Sequence, residues 1–522
     1  MKIIKKKYII ILTVGTLLVG GIFLVITKSK YTFNKKNTPD KQYSDEKNII
    51  KKDKQKNDTK LNFCNDCNVV LITLDTVRAD HLSPYGYIRD TSSNINKLAE
   101  KGIVFENNFV QMPYTPTSHW SIFSGTYPHT HKHYSPGIVN GHGTLDDNTS
   151  VQTITNRLKE GGYVNLAVLG SKMVVNLAPE FDKAVLVKTG GMAHTSQKTT
   201  TKAMELITKN KDKKFFLWLH YWDPHRPYAP PQKYVYHDGR DVFLGKDVYV
   251  KKYNQKFREN NSEKEKGEDI YQETLKMQDA YDGEIKHVDE EFGRVVKLLK
   301  ELGLQKKTII IVTSDHGELF GEHRENWFRP KAFDKPAFEH YGTLYDEEIR
   351  TPLIIYNPQK EVNNKHITAL TQEIDIAPTI LDMLGLKIPT MIEGKSLLPL
   401  IKGETEKVND YIFSILKFVR DEASMGGRWK DTNIRKLRAT LRTKEWKLIR
   451  FENLKNDKKE TKYVLYNLQK GEDQDVLKEN RKIADDMIAQ LENMIAEDKS
   501  ISEDISLSKE ELSILRSLGY LK

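Results

Sequence analysis

Thr308-Ile-Ile-Ile-Val-Thr-Ser-Asp-His-Gly-Glu318 decides the fold. Every residue from Thr308 to Thr313 is β-branched. Such residues favour strands, and a run without polar alternation marks a strand buried on both faces, as in parallel sheets. Asp315 and His316 then leave the strand at its carboxyl end, where open α/β sheets bind their ligands. A hard carboxylate beside an imidazole suits zinc, manganese or a similar divalent ion. Gly317 lets a backbone or ligand approach closely. Taken alone, the stretch fits equally well a strand that ends in a polar turn.

A second apolar run, Asn68-Val-Val-Leu-Ile-Thr-Leu74, ends in Asp75. Two carboxylates on parallel strand ends can share one metal, although Asp75 also fits a helix N-cap. Between the two strands lies Pro113-Tyr-Thr-Pro-Thr-Ser-His-Trp-Ser-Ile-Phe-Ser-Gly-Thr-Tyr-Pro128. It reads as an extended segment followed by a short helix that begins near Thr117 and stops at Gly125. Thr115 then sits at the helix mouth, where free N–H groups favour an oxyanion. A hydroxyl there, beside a divalent ion, is a candidate nucleophile; its bland reading is a helix cap.

Further stretches join these. They are Phe215-Phe-Leu-Trp-Leu-His-Tyr-Trp-Asp-Pro-His-Arg-Pro-Tyr228, the segment His340 to Leu353, Glu373-Ile-Asp-Ile-Ala-Pro-Thr-Ile-Leu381 and the closing Leu515-Arg-Ser-Leu-Gly-Tyr520. In number and order, over roughly residues 66 to 522, they resemble the sulfatase family within the alkaline phosphatase superfamily. The resemblance implies a large, mixed, mostly parallel sheet sandwiched by helices, with a smaller C-terminal α+β subdomain. It implies Asp75, Asp315 and His316 as metal ligands and Thr115 at the nucleophile position. It also implies His225 as the histidine that contacts the transferred group or protonates the leaving oxygen. Lys172 lies near the family's substrate-binding lysine, and His340 matches a histidine found near the site in many relatives. Asp223, His323 and His340 are candidates for a second metal or for substrate contact.

The departures from the family pattern carry as much information. Typical members place Cys or Ser at the nucleophile and convert it to formylglycine; Thr115 does not follow that route, so no formylglycine is expected. His119 stands where the family has Arg, and Thr76 where it has a second Asp. A Thr nucleophile resembles the phospho-transferring branch of the superfamily, and Thr115 would then bind the metal itself. The expected cofactor is a divalent metal (Zn, Mn, Ca or Mg). The expected substrate is a sulfated or phosphorylated glycan, lipid or small-molecule ester. The rivals are a phosphoesterase or phospho-group transferase acting on envelope lipid or glycan, and an inactive binder of anionic glycans.

Charge narrows the partners. The chain of 522 residues is net +10 from 82 basic and 72 acidic residues. Fifteen Lys and five acidic residues lie in the first 60, which leaves 67 of each sign in the other 462. The catalytic part is therefore not basic, and no nucleic-acid partner is expected. Residues 8–27, Tyr8 to Thr27, carry no charge. As a helix of about 1.5 Å rise per residue they would span about 30 Å, a bilayer core. Lysines at 2, 5, 6 and 7 precede them, so residues 1–7 should stay in the cytoplasm and the catalytic domain outside it. A cleaved signal peptide is the alternative.

Residues 28–65 read as a disordered polar tether. Cys64 and Cys67, at its end, are an extracytoplasmic disulfide or two idle thiols. The catalytic domain is expected over 66–404 and the C-terminal subdomain over 405–522. In the latter, short antiparallel strands at 411–416, 437–441, 446–450 and 464–466 precede a helix from Arg481 to Ile495. Asp282, Glu284 and Asp289, on a helix expected over 271–302, read as a solvated face or as helix-packing contacts.

Overall fold

The computed structural model describes residues 64–133, 151–187, 195–236, 264–320, 322, 340, 343–359, 362, 364–420, 434–455 and 458–497. The apolar segment at 8–27, nearly all of the tether, His323 and the closing motif at 515–520 lie outside the described residues. Among the described residues, no helix is long and apolar enough to cross a membrane.

Strand β1 (Asn68–Leu74) is the centre of the main sheet. With β2 (Ile103–Phe109), β3 (Val164–Leu169), β4 (Lys183–Leu186), β5 (Phe215–Tyr221), β6 (Thr308–Ser314), β7 (Arg350–Tyr356) and β8 (Lys365–Gln372) it forms the order β4-β3-β5-β1-β6-β7-β2-β8. Only β7 runs antiparallel to its neighbours, β6 and β2; the other pairings are parallel. The strand period of two splits β1 between two cores. Val69 and Leu71 point into one, Val70, Ile72 and Leu74 into the other. That is why the run reads apolar throughout.

Helices cover both faces. On one side lie α1 (Ser93–Ala99), α5 (Ser196–Lys209) and the long α6 (Lys264–Glu301). On the other lie α2 (Thr115–Ser124), α4 (Ile154–Glu160), α8 (Ile376–Met383) and α9 (Leu398–Lys402). The short α3 (Pro128–His131) and α7 (Asp346–Ile349) sit in connections. Helix α6 buries Tyr281, Ile285, Val288, Phe292, Val295 and Leu299, an alternating 4,3 spacing that keeps one stripe on the sheet. Each such side chain contributes roughly 1.5–3 kcal/mol on burial.

Asp282, Glu284 and Asp289 of α6 form no solvated face. Asp282 accepts from Arg89 and Tyr87 and meets His81 Nδ1 at 2.7 Å. Asp289 accepts the Asn94 and Ile95 N–H groups at the start of α1, and Glu284 the Ala229 N–H. All three are buried, and of the two readings only the packing one holds.

After α9 the pattern changes to an antiparallel sheet, β9 (Ile412–Arg420), β10 (Ile434–Arg442), β11 (Trp446–Lys455) and β12 (Lys458–Asn467). The strands outrun the expected apolar cores because charged residues extend each ladder. Helix α10 (Arg481–Glu497) packs on this sheet through Ala484, Met487, Leu491 and Ile495. The two sheets share apolar contacts, Ile412 and Leu416 meeting Phe109, Val110 and Leu370. Of the two alternatives for Cys64 and Cys67, the disulfide is present.

Candidate active site

Register brings the site together. Leu74 pairs with Tyr221 on one side and Ser314 on the other, so β1, β5 and β6 end at one level. Asp75 and Asp315 are the next residues out. Ligating atoms of Asp75, Asp315 and His316 lie within 4.8 Å of one another, and all three residues are fully buried.

Asp315 Oδ1 accepts the Thr76 and His316 N–H groups at 3.0 and 2.9 Å. Its Oδ2, and Asp75 Oδ1, are buried without a hydrogen-bond partner. Ionised oxygens are not kept in that state without a counter-charge. Burial raises the Asp75 pKa, and Asp315 and Glu318 raise it further. Burial opposes the Asp315 charge too, but His316, His119 and the Thr76 N–H outweigh it and hold that carboxyl below its ordinary value. Two orphaned hard oxygens beside an imidazole fit a divalent cation.

His316 is preset for that task. Its Nδ1 lies 3.0 Å from Gly317 O, and a carbonyl only accepts, so Nδ1 carries the proton. Its Nε2 lone pair then faces Thr115 Oγ1 at 3.2 Å. Thr115 is the first residue of α2, two earlier than the sequence pattern indicates. Pro116 explains the shift, since its fixed φ suits a first turn and it has no N–H to satisfy. Ser118 N–H closes that turn on Tyr114 O at 2.9 Å.

Thr76 takes φ +57°, rare for a β-branched residue. That turn aims its N–H at Asp315, while its hydroxyl donates to Pro224 O at 3.0 Å. Where the family resemblance implies a second carboxylate, a backbone donor stands.

His119 has both ring nitrogens engaged, Nδ1 with Thr115 O at 2.7 Å and Nε2 with Thr73 Oγ1 at 3.0 Å. It braces the first turn of α2, and burial lowers its pKa from the ordinary value. His220, which the sequence reading passed over, lies 3.1 Å from Asp75 Oδ2 through Nε2. The signal was a lone imidazole in the apolar run of β5, opposite Thr73.

His225 donates from Nδ1 to Arg226 O at 2.6 Å and stacks on Trp222 with ring centroids 3.9 Å apart. Burial and then His340 hold its pKa well below 6.5. His340 lies 4.3 Å from the His316 ring, 5.2 Å from that of His225, and 3.3 Å from Glu318 Oε1 through Nδ1. Burial pushes Glu318 up to about 7 even though it accepts from Tyr228. His225, His316 and His340 thus form one imidazole wall.

The structure does not bring Asp223 there. Asp223 caps α5, accepting from Thr195 N, Thr195 Oγ1 and Ser196 N at 2.7–2.8 Å. It groups with Glu284 and His287, not with Asp75. Lys172 is exposed on a 3-10 turn after β3.

Fold and donor set together describe an α/β protein with a candidate metal-binding group and a nearby threonine hydroxyl at the carboxyl ends of a mostly parallel sheet. The family model described as "Sulfatase" matches residues 67–386, and one described as "N-sulphoglucosamine sulphohydrolase, C-terminal" matches 333–500. The chain belongs to the sulfatase family, and it is an enzyme of the sulfuric ester hydrolase class. It is similar to the arylsulfatase of Clostridium perfringens, 25% identical in an alignment of length 414 that covers 68% of this chain and 82% of that protein. It is 22% identical over 429 residues to N-acetylglucosamine-6-O-sulfatase of Bacteroides thetaiotaomicron, covering 66% and 72% of the two chains.

Solved structures share the fold. A protein in complex with its substrate D-glucosamine-2-N,6-O-disulfate superposes with TM-score 0.64 at 20% identity, over 84% of this chain and 100% of that one. The phosphonate monoester hydrolase of Silicibacter pomeroyi superposes with TM-score 0.60 at 21% identity, over 85% and 98%.

Proposed function

We propose that this enzyme is a metal-dependent ester hydrolase that attacks the sulfur of a sulfate ester with Thr115. The observation that carries the reading is the position of Thr115 Oγ1. It stands at the start of α2, 3.2 Å from His316 Nε2, beside two unpartnered carboxylate oxygens. Asp75, Asp315 and His316 would hold the ion. When bound, a divalent ion supplies positive charge for the ester oxygens and lowers the hydroxyl pKa.

The chain's own groups do the rest. Thr115 Oγ1 releases its proton to solvent and bonds to sulfur, and the bond from sulfur to the leaving alcohol oxygen breaks. The leaving oxygen takes a proton, for which His225 is the candidate carrier. Burial lowers the proton affinity of His225, and an arriving anion raises it. Water then cleaves the sulfo-threonine. N–H groups of the first turn of α2 face the transferred group's oxygens.

The substrate is an anionic ester on a glycan, by similarity to the N-acetylglucosamine-6-O-sulfatase and the glucosamine-disulfate complex above. The apolar segment at 8–27 would anchor the enzyme with its site outside the cytoplasm, and the Cys64–Cys67 disulfide suits an oxidising compartment. A second reading, phosphate or phosphonate ester cleavage, is favoured by the threonine itself and by the phosphonate monoester hydrolase likeness.

The test uses the full chain in detergent, loaded with zinc or manganese, on paired aryl sulfate, aryl phosphate and phosphonate monoesters beside Thr115→Ala. Sulfate turnover lost in the variant supports the first reading. Phosphorus ester turnover alone, lost in the variant, supports the second. Turnover that survives in the variant removes Thr115 as nucleophile, and none on any ester in the parent favours an anionic-glycan binder.

A further inference from the structure

One turn of the fold rests directly on the exit of β6. Gly317 N–H donates to Glu348 O at 2.8 Å, and a Cβ on Gly317 would stand 1.9 Å from Glu347 O. His316 fixes its tautomer on the carbonyl of that same glycine. The place of α7 and the place of His316 are therefore set together.

Helix α7 begins at Asp346, and the residues that hold Asp346 come from the small sheet and from the bend that follows β12. Lys447 Nζ lies 2.8 Å from Asp346 Oδ1 and 2.6 Å from Glu472 Oε1. Arg442 reaches Asp346 Oδ2 at 3.1 Å, and Glu472 Oε2 accepts the Asp346 N–H at 2.9 Å. Two cations and two anions close the group. The Lys447 side chain has no solvent exposure, which a lysine tolerates only when paired. Apolar contacts through Ile412, Leu416 and Phe109 already join the sheets, so the charged group is not needed merely to hold them. Its location on the turn that touches the ligand strand is what sets it apart.

We infer that Lys447 is a positioning residue for the catalytic centre. Through Asp346 and α7 it fixes Gly317 and His316, and so the affinity of the site for its divalent ion. The inference rests on Asp75, Asp315 and His316 being the donor set.

The test measures cobalt(II) and manganese(II) binding to the full-length protein, with the visible spectrum of the cobalt form and kcat and KM. The proteins are the parent, Lys447→Met, Lys447→Arg, Asp346→Asn and Asp315→Ala, each checked for folding by circular dichroism at the assay temperature. Lys447→Met and Asp346→Asn should bind metal about 10–100-fold more weakly, the size typical of groups that orient ligands. They should also shift the cobalt bands and lower kcat more than they raise KM. Lys447→Arg, which keeps the charge, should restore most of this.

A variant that melts earlier yet keeps parental metal affinity and cobalt spectrum overturns the inference. Should Lys447→Met not fold, Asp346→Asn decides by the same criteria, since it keeps the side-chain shape. Parental metal binding in Asp315→Ala would instead sink the donor-set reading beneath it.

Discussion

Thr115 owes its chemistry to its surroundings, since an ordinary threonine hydroxyl is a poor nucleophile. Thr115→Ala should lower turnover by at least about 10³-fold with metal content unchanged, checked by steady-state kinetics and metal analysis. Asp315→Ala should lose both, because it leaves one carboxylate and one imidazole to hold the ion. His220→Phe tests a subtler role. It removes the only side chain among the described residues that hydrogen-bonds Asp75, and metal affinity should fall about 10–100-fold as judged by titration calorimetry.

Residues at strand ends were the legible ones. Asp75 and Asp315 each follow an apolar run, and a run that ends in a polar residue betrays where its sheet opens. His220 was not legible, because it sits inside such a run and only the pairing of β5 with β1 shows what it faces. Asp223 misled for the opposite reason. Its neighbour His225 does reach the imidazole wall, but the chain turns between them, and Asp223 faces back to the start of α5.

At the scale of elements, two turns constrain the site. Gly317→Ala would drive a methyl group into Glu347 O. Backbone on both sides would have to move, so thermal stability should fall by roughly 2–4 kcal/mol and metal binding with it, read from melting curves and metal titration. In α7, Glu348 is buried, and its pKa rises to about 7 from the model-peptide 4.5, chiefly through that burial. A carboxyl raised on folding binds its proton better in the native state. Its stabilisation is therefore complete below pH 4.5 and is lost as pH climbs to about 7, by up to about 3 kcal/mol. Glu348→Gln should flatten the melting temperature over that interval; an unchanged slope would show that Glu348 is not the group responsible.

Element types were readable from periodicity: period two with full burial in β1 and β6, the 4,3 stripe in α6. Boundaries were not. Helix α2 begins early at Pro116, and β9 to β12 run past their apolar cores because hydrogen bonding continues under charged side chains. The acids of α6 looked solvent-facing because a helix of this length has polar residues all round, and only the packing of α1 and the 229 turn against it shows where they go.

For the whole molecule, the alternation of strand and helix conveyed the sandwich, and the order of motifs conveyed the family. The coupling of the small sheet to the catalytic one could not be read in advance, since it depends on ion pairs between Asp346 and residues about a hundred positions further along. The disulfide makes a global prediction. Cys64 and Cys67 are three residues apart, so the loop they close is short. Its entropic contribution is at most about 2 kcal/mol. Reduction should move the melting temperature by only a few degrees and leave turnover intact, as calorimetry with and without a reductant would show.

The rims of the main sheet have a consequence for crowding. A long bare strand at a rim invites a second chain to zip onto it. Here β4 is four residues long and opens with exposed Lys183. At the far rim the Asn409 amide occupies Leu370 O, and the exposed His366 and Thr368 interrupt the apolar surface of β8. Packed side by side at high density, copies of this enzyme would find no ready seam along the described rims of the main sheet on which to fuse.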